Sequence, residues 1–335
     1  MGVQRLIWAD SIKGWLIILV VLGHALQVTL GADCDSNHLW NIIYSFHMPA
    51  FMAISGYLAF RPVAEGYYHS NYKTIIIRRF RQLIVPFLLW SLVLILLNDH
   101  LSIETIESYI LYPDKGLWFL WVLFAISIVF LGCNCLAEVI RVKHELIVLA
   151  TCLLLIVIMI MLDIRVFGFQ FLAYYFLFYA VGYFSNKYKK ALITENKFLL
   201  IALSLCWFIL AWFWKMHDLP SWLKTIPLPS SLVQYAYRFI TAVIAVYIII
   251  SVSPIILNNY ESINKHVATL GVVSLGIYTT HFVLIGNIVK LCKLFSSNEI
   301  ILIASSFVLA LVLSCIIVWL LSKKRITARL FLGKI

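Results

Sequence analysis

The chain has 335 residues with a net charge of +11; 63% of the residues are hydrophobic and 12% are charged. Its mean hydropathy is +0.97. Soluble domains are about half apolar and about a quarter charged, so this composition excludes an ordinary soluble protein and predicts an integral membrane protein. The basic residues lie between apolar segments rather than in one stripe, which is typical of membrane loops and does not indicate nucleic-acid binding.

Ten apolar segments are candidate membrane-spanning helices, since a helix needs about 20 apolar residues to cross a bilayer. In chain order they are residues 12–31, 39–60, 80–98, 116–137, 145–162, 167–185, 198–215, 232–252, 267–289 and 299–321. Lys and Arg concentrate in alternate loops, which predicts that both the N- and C-termini are cytoplasmic. No polar stretch is long enough for a soluble module. We therefore expect an all-α polytopic membrane protein with about ten transmembrane helices, a single domain over residues 1–335, in the inner or plasma membrane of the cell.

The first apolar segment contains "KGWLIILVVLGHAL", residues 13 to 26. Lys13 stands at one end, and His24 follows eleven positions later, so on a helix the two are separated by about 16 Å along the axis. If Lys13 lies at the cytoplasmic boundary, His24 lies past the midplane of an apolar layer about 30 Å thick. An ionisable side chain at this depth is costly and indicates a functional position.

Two further histidines are predicted at a similar depth. His47 lies about a third of the way along the second segment, and His281 lies slightly past the middle of the ninth. One such histidine is commonly a buried side chain bonded to a carbonyl, but three at one depth favour proton transfer, because histidine titrates near neutral pH. Three histidines can also bind zinc, although no carboxylate or cysteine is predicted at matching depth, so we expect no metal.

Three arginines, Arg78, Arg79 and Arg81, precede the third apolar segment in "IIIRRFRQLIVPFLLW", residues 75–90. They are either a topology anchor against anionic lipid headgroups or a phosphate clamp, because guanidinium pairs well with phosphate. On an α-helix Arg78 and Arg81 would share a face. The sequence leaves both roles open, and the two can coexist.

Aromatic and hydroxyl residues mark two further segments. Trp118 and Trp121 open the fourth segment, where they form an interfacial aromatic belt or a platform for stacking a sugar ring. In "SLGIYTTH", residues 274–281, Ser274, Tyr278 and His281 are spaced to lie on one helix face.

These segments together resemble the acyltransferase-3 family of membrane O-acyltransferases, and most closely its fucose 4-O-acetylase-like branch. Lys13 and His24 fill the family's motif of a basic residue, ten positions and a histidine. The run Phe46-His47-Met48-Pro49, followed by Ser55-Gly56, matches a motif of the branch. Arg78 and Arg81 match the family's arginine-x-x-arginine motif, and the "LWFL" and "SLGIYTTH" segments match its middle and late motifs in order.

Two positions depart from the family pattern. The family usually has arginine where this chain has Lys13, and lysine lacks the bidentate fork that binds phosphate or carboxylate. The better-known branch carries a glutamate in a tryptophan-serine-leucine motif, whereas this chain reads Leu117-Trp118-Phe119-Leu120. The role of that glutamate therefore has no counterpart here.

The resemblance implies transfer of an acyl group, most often acetyl from acetyl-CoA, to a hydroxyl of a carbohydrate or lipid-linked glycan. His24 would act as general base or as acyl carrier, with His47, Lys13 and the neighbouring Asp10 as its predicted catalytic partners. Lys13 and the three arginines would hold the CoA phosphates. Trp118, Ser274, Tyr278 and His281 would contact substrate, with Tyr278 or His47 near the oxyanion. The alternative from another class is a proton-coupled transporter of a glycan or small acid; the acceptor, the acyl chain (acetyl or succinyl) and the oligomeric state stay open.

Overall fold

The computed structural model describes residues 6–63, 66–98, 101–162, 164–189, 193–194, 196–259 and 261–334. Every regular element in these ranges is helical. The helices are α1 (Ile7–Leu30), α2 (His38–Ala59), α3 (Tyr67–Arg79), α4 (Val85–Asn98), α5 (Ile103–Leu111), α6 (Trp118–Ile140), α7 (His144–Leu162), α8 (Phe169–Lys187), α9 (Lys197–Trp212), α10 (Ser230–Asn259), α11 (Glu261–Val272), α12 (Ser274–Lys293), α13 (Glu299–Ser322) and α14 (Arg325–Leu332).

Within the described ranges, nine helical runs are long and apolar enough to cross a membrane. They confirm a polytopic, all-α membrane protein. The predicted seventh span, residues 198–215, is shorter than expected, because α9 has 16 residues and therefore rises only about 24 Å. The cytoplasmic placement of both termini stays a prediction.

Two predicted boundaries differ from the structure. The third span was predicted from residue 80, but its helical run begins at Tyr67 and ends at Leu97. A π-helical turn, Phe80–Ile84, joins α3 to α4 within this run. The ninth span was predicted from residue 267, but Val273 has non-helical backbone angles and separates α11 from α12. His281 therefore lies two turns into α12 rather than past the middle of one long helix.

The chain divides into two compact units. The first contains Met1–Tyr57 and Gly182–Ser314, and the second contains Leu58–Val181 and Cys315–Ile335. Each is therefore assembled from segments that are distant in sequence, and each is described separately below. The single domain expected over residues 1–335 stays a prediction.

In the first unit, α1 and α2 run antiparallel. The rings of Trp8 and Tyr57 lie 4.9 Å apart at one end of the pair. Towards the other end, the Tyr44 hydroxyl donates to Oε1 of Gln27 at 2.6 Å. A 3-10 segment, Gly31–Ser36, connects the two helices. The pairing places the C-terminal third of α1, with His24, beside the middle of α2, with His47.

Helix α1 also packs along α11 and α12, and two glycines allow the closest approach. Gly14 lies directly against the carbonyl oxygen of Val267, and Gly271 lies directly against the carbonyl oxygen of Asp10. A Cβ atom at either glycine would occupy the space of that backbone. Small residues at helix interfaces in membranes permit such backbone contact, and here the contact holds the Asp10–Lys13 turn of α1 against α11.

In the second unit, Glu138 of α6 accepts hydrogen bonds from the backbone N–H groups of Tyr68 and His69, at 3.2 and 2.8 Å. These are among the unpaired donors at the start of α3, so a carboxylate there both caps the helix and complements its dipole. Near the far end of the chain, α14 packs on α4, where Nε1 of Trp90 donates to the carbonyl of Phe331 at 2.9 Å.

Candidate active site

The predicted basic residue of the first motif forms an ion pair within its own helix. Nζ of Lys13 lies 2.6 Å from Oδ1 of Asp10, and the carboxylate is buried. The neighbouring Ser11 hydroxyl is shared between two carbonyl oxygens, that of Asn264 on α11 and that of Ile7 on its own helix, each 3.0 Å away. The turn is thus fixed to α11 by a hydrogen bond as well as by the glycine contacts, and the charge of Lys13 is balanced by Asp10.

Helix α1 is unbroken from Ile7 to Leu30, so the predicted separation between Lys13 and His24 of about 16 Å holds along the axis. Asp10 is three residues further away, about 21 Å from His24 on the same measure. A carboxylate at that distance cannot hydrogen-bond the imidazole. A catalytic role for Asp10 therefore stays a prediction, and in that role Asp10 would act through Lys13.

The structure brings the three predicted histidines together in the first unit, and we name His24, His47 and His281 the histidine cluster. The ring centroids of His24 and His281 lie 5.3 Å apart. The rings of His24 and His47 both face Tyr44, at 6.4 and 4.8 Å. The three histidines expected to converge therefore lie close together in the first unit, whereas their common membrane depth stays a prediction, and His281 lies on a shorter helix than expected.

Two members of the cluster have a defined tautomer. Nδ1 of His47 lies 2.7 Å from the carbonyl oxygen of Ile43, and Nδ1 of His281 lies 2.8 Å from that of Ile277. A carbonyl oxygen only accepts, so each Nδ1 must carry the proton and donate it. In the neutral form of each ring, Nε2 is then the acceptor nitrogen. In His281 this Nε2 is buried and has no hydrogen-bond partner within the described residues.

His24 differs from its two neighbours. His47 and His281 are 3% and 0% exposed, whereas His24 retains accessible surface. Among the described residues neither ring nitrogen of His24 has a hydrogen-bond partner. Its surroundings are aromatic, with the Phe282 ring 5.5 Å away and perpendicular. His24 is therefore the member of the cluster that retains accessible surface, and neither of its ring nitrogens is paired within the described residues.

Sequence reasoning missed Tyr44 and Gln27. Gln27 lies one turn after His24 on α1, and Tyr44 lies one turn before His47 on α2, so their hydrogen bond links the two histidine-bearing helices. The ring of Tyr44 also stacks on Trp40 at 4.1 Å. The only signal in the sequence was this one-turn spacing, and a tyrosine near an apolar segment end is ordinarily interpreted as an interfacial residue.

The helix face predicted for the late motif is found for two of its three residues, and their contact with substrate stays a prediction. Tyr278 and His281 share a face of α12, with ring centroids 5.9 Å apart, and Tyr278 is buried. Ser274 begins α12, about 10 Å before His281 along the axis. Tyr278 is thus close enough to belong to the site, whereas the structure does not bring Ser274 into contact with His281.

The three predicted arginines lie in the second unit. Arg78 and Arg79 end α3 and are half-buried, whereas Arg81 is exposed within the π-helical turn. The predicted common face of Arg78 and Arg81 assumed an uninterrupted α-helix; in a π-helical turn the hydrogen bonds span five residues, so the angle between the two positions widens. Arg78 interacts electrostatically with Arg79 and with Arg61. Within the described ranges, none of these four guanidinium groups has a carboxylate partner.

Trp118 also lies in the second unit, where it begins α6. Its ring stacks on Phe171 and Tyr175 of α8, with centroids 4.7 and 5.2 Å away. Trp121, one turn later, donates from Nε1 to the carbonyl of Phe167 at 2.9 Å. Both rings thus hold helices together, and sugar stacking by Trp118 stays a prediction.

In the ranges that the structure describes, no group of three His, Cys, Asp or Glu side chains is arranged to hold a metal ion. The fold and site therefore define a polytopic membrane protein with an accessible intramembrane histidine, flanked by two buried histidines of fixed tautomer.

The chain belongs to the acyltransferase-3 family: the profile of that family, described as an acyltransferase domain, matches residues 6–321. This assignment places the chain in a family named for acyl transfer and favours that class over the transporter alternative. The segments that carried the sequence resemblance all fall within the matched range.

Two curated relatives are similar over part of their length. The chain is 36% identical over 131 residues to the nodulation protein NolL of Sinorhizobium fredii (strain NBRC 101917 / NGR234), covering 36% of this chain and 35% of the relative. It is 32% identical over 133 residues to the nodulation protein NolL of Mesorhizobium japonicum (strain LMG 29417 / CECT 9101 / MAFF 303099), covering 34% and 32%. The match thus spans about a third of each relative. No solved structure matches the chain significantly.

Proposed function

We propose that this protein is an O-acyltransferase of the inner or plasma membrane that moves an acetyl group from acetyl-CoA to a hydroxyl of a carbohydrate or lipid-linked glycan. The observation that carries the proposal is His24: an accessible imidazole with both nitrogens free, beside buried His281. The family profile across residues 6–321 supports acyl transfer as the reaction class.

In the proposed reaction, one nitrogen of His24 accepts the proton of the acceptor hydroxyl as its oxygen attacks the thioester carbonyl carbon. A carbon–oxygen bond forms, the carbon–sulfur bond breaks, and the proton passes from His24 to the departing CoA thiolate. General-base catalysis of this kind contributes about 10²–10⁴-fold to a rate.

His281 has a defined part in this proposal. Its Nδ1 proton is donated to the carbonyl of Ile277, so in the neutral ring its Nε2 is an acceptor. With the rings 5.3 Å apart between centroids, a small rotation of His24 brings an N–H of that ring within hydrogen-bonding reach of Nε2. This bond would select the tautomer of His24 whose other nitrogen is the base, and would stabilise the imidazolium that forms. Catalytic hydrogen bonds commonly tighten only when substrate is bound.

For the CoA phosphates, we assign Arg78 and Arg79 of the second unit as the principal ligands, with exposed Arg81 as a further one. Their charges are unpaired within the described residues, and guanidinium binds phosphate through two parallel hydrogen bonds. We also propose that Lys13 contacts acetyl-CoA, the acyl donor. Because Asp10 already balances its charge, a phosphate would have to compete with that carboxylate.

The proposal is tested with purified protein in phosphatidylcholine nanodiscs and acetyl-labelled acetyl-CoA. The expected result is release of free CoA that depends on an added carbohydrate, with label recovered on that carbohydrate as a base-labile ester. A protein that moves carbohydrate across sealed vesicles while consuming no acetyl-CoA would contradict the proposal and restore the transporter alternative.

A further inference from the structure

Residues 213–220 follow α9 and are held by hydrogen bonds from two neighbouring elements. The carboxylate of Asp35 accepts from the backbone N–H groups of Met216 and His217, at 2.7 and 3.1 Å. From α10, Nε2 of Gln234 donates to the carbonyl of Met216 at 3.0 Å. Asp35 lies beyond the C-terminal end of α1, and Lys13 lies near its N-terminal end, so this segment sits at the opposite end of α1 from Lys13.

Arg238 lies one turn after Gln234 on α10 and faces the same segment. Its guanidinium carbon lies 5.2 Å from the ring centroid of Trp214. Trp214 in turn lies 6.2 Å from Trp40, and Trp40 stacks on Tyr44 at 4.1 Å. Because Tyr44 contacts the rings of both His24 and His47, a continuous series of ring contacts leads from Arg238 to the histidine cluster.

Three polar atoms of this series are buried hydrogen-bond donors without acceptors in the described residues. Nε1 of Trp40, Nε1 of Trp214 and Nε of Arg238 are buried and have no partner within the described residues. The terminal nitrogens of Arg238 are not among the buried atoms, since the side chain is half-exposed. No carboxylate in the described residues pairs with it. An arginine has five N–H donors and no acceptor, so its complement is an oxyanion.

We propose that Arg238, seated on Trp214, binds an anionic group of the acceptor, and that the acceptor is therefore an acidic carbohydrate carrying a carboxylate or a phosphate. The inference rests on the proposed function. If the donor is held at the Lys13 end of α1, the acceptor must approach His24 from the other end, where Arg238 lies. A half-buried, unpaired guanidinium on an aromatic face loses less hydration on binding an oxyanion than an exposed one does.

The neighbouring Lys224 provides a matched control. It lies in the segment between α9 and α10, is exposed, and its Nζ donates to Oδ2 of Asp218 at 3.1 Å. That hydrogen bond holds the pKa of Asp218 below its usual value. Lys224 therefore carries the same charge as Arg238 but is already paired with a carboxylate, so its removal tests the effect of net charge alone.

The test is calorimetric binding to His24→Ala protein in phosphatidylcholine nanodiscs, which requires no acetyl transfer and contains no anionic lipid. The probes are a galacturonate tetramer, a neutral galactose tetramer and a phosphorylated galactose tetramer. We expect an anionic probe to bind more tightly than the neutral one. Arg238→Gln should raise the Kd of the anionic probe about 10- to 100-fold, because a charge-assisted hydrogen bond is lost. The Kd of the neutral probe should change less than about twofold.

The two anionic probes distinguish the ligand: loss of galacturonate binding in Arg238→Gln indicates a carboxylate, and loss of phosphorylated galactose binding indicates a phosphate. Arg238→Lys should retain part of the anionic affinity, and Lys224→Gln should retain all of it. Equal weakening of anionic and neutral probes would assign Arg238 to clamping Trp214, and would overturn the inference, as would failure of both anionic probes to bind. Acceptor-dependent CoA release by the wild-type protein, measured separately, shows whether the proposed function itself holds.

Discussion

His24 and His281 come from opposite ends of the chain, yet their imidazole rings lie 5.3 Å apart in the first unit. The buried ring is held by its Nδ1 bond to Ile277, while the accessible ring has no hydrogen-bond partner among the described residues. This combination of one oriented acceptor and one free imidazole is what a histidine base needs in order to work at a defined position.

Replacing His281 tests that relationship. We expect His281→Phe, which removes the Nε2 acceptor but keeps a planar ring, to lower kcat about 10²-fold, as loss of an orienting group does in acid–base catalysis. The KM for acetyl-CoA should change little, since the phosphate ligands that we propose, Arg78 and Arg79, belong to the second unit. His69→Ala, at an exposed position of α3, is the histidine control. An unchanged kcat in His281→Phe would show that His24 works without this neighbour.

The hydrogen bond between Tyr44 and Gln27 should stabilise the pairing of α1 and α2 that forms the histidine cluster. Tyr44→Phe removes the hydroxyl but keeps the ring against Trp40 and His47, so we expect a loss of about 1 kcal/mol in unfolding free energy. Gln27→Leu should cost a similar amount. The double variant should cost clearly less than the sum, because both changes break the same bond. Additive losses in the melting measurements would mean that the two side chains act independently.

Gly271 should tolerate no side chain, because a Cβ atom there would occupy the space of the Asp10 carbonyl. We expect Gly271→Ala to cost about 1–3 kcal/mol of stability through overpacking and to lower activity by shifting the Asp10–Lys13 turn. Gly286→Ala, on α12, is the control, because no atom lies within 4 Å of its Cβ position; alanine there should be neutral or stabilising. Equal thermal stability of the two variants would argue against the backbone contact.

The arginines of α3 should act on the nucleotide end of the donor. We expect Arg78→Gln to raise the KM for acetyl-CoA about tenfold, because a charge-assisted contact to phosphate is lost. The KM for S-acetylpantetheine, which lacks the nucleotide phosphates, should stay the same. Lys73→Gln, at an exposed position of the same helix, should affect neither donor. If Arg78→Gln impaired both donors equally, its role would be structural or a lipid anchor.

Hydropathy predicted most of the fold, because a bilayer-spanning helix needs a long apolar run whatever its partners are. It could not predict the break at Val273 or the π-helical turn before α4, since neither contains a proline, the commonest sequence signal for a helix break. The start of the third run at Tyr67 was also missed, because α3 carries polar residues and its N-terminus is capped by Glu138 from a distant helix.

The candidate site was predicted where an ionisable residue in an apolar segment is costly, which identified His24, His47 and His281. Tyr44, Gln27 and Arg238 were not predicted, because a tyrosine, a glutamine or an arginine near a segment end is common in membrane proteins. Their significance comes from tertiary contacts: a hydrogen bond between two helices, and a guanidinium seated on a tryptophan of another segment. Spacing along one helix cannot reveal such contacts.

The central claim is that His24 is the base for acyl transfer, and the most direct measurement is CoA release by His24→Ala and His24→Gln protein in nanodiscs, with matched melting temperatures and wild-type binding of acetyl-CoA. We expect both variants to bind acetyl-CoA normally and to lose acceptor-dependent CoA release by at least about 10²-fold, while His69→Ala remains fully active. Full O-acetylation of the acceptor by His24→Ala at wild-type expression would contradict it.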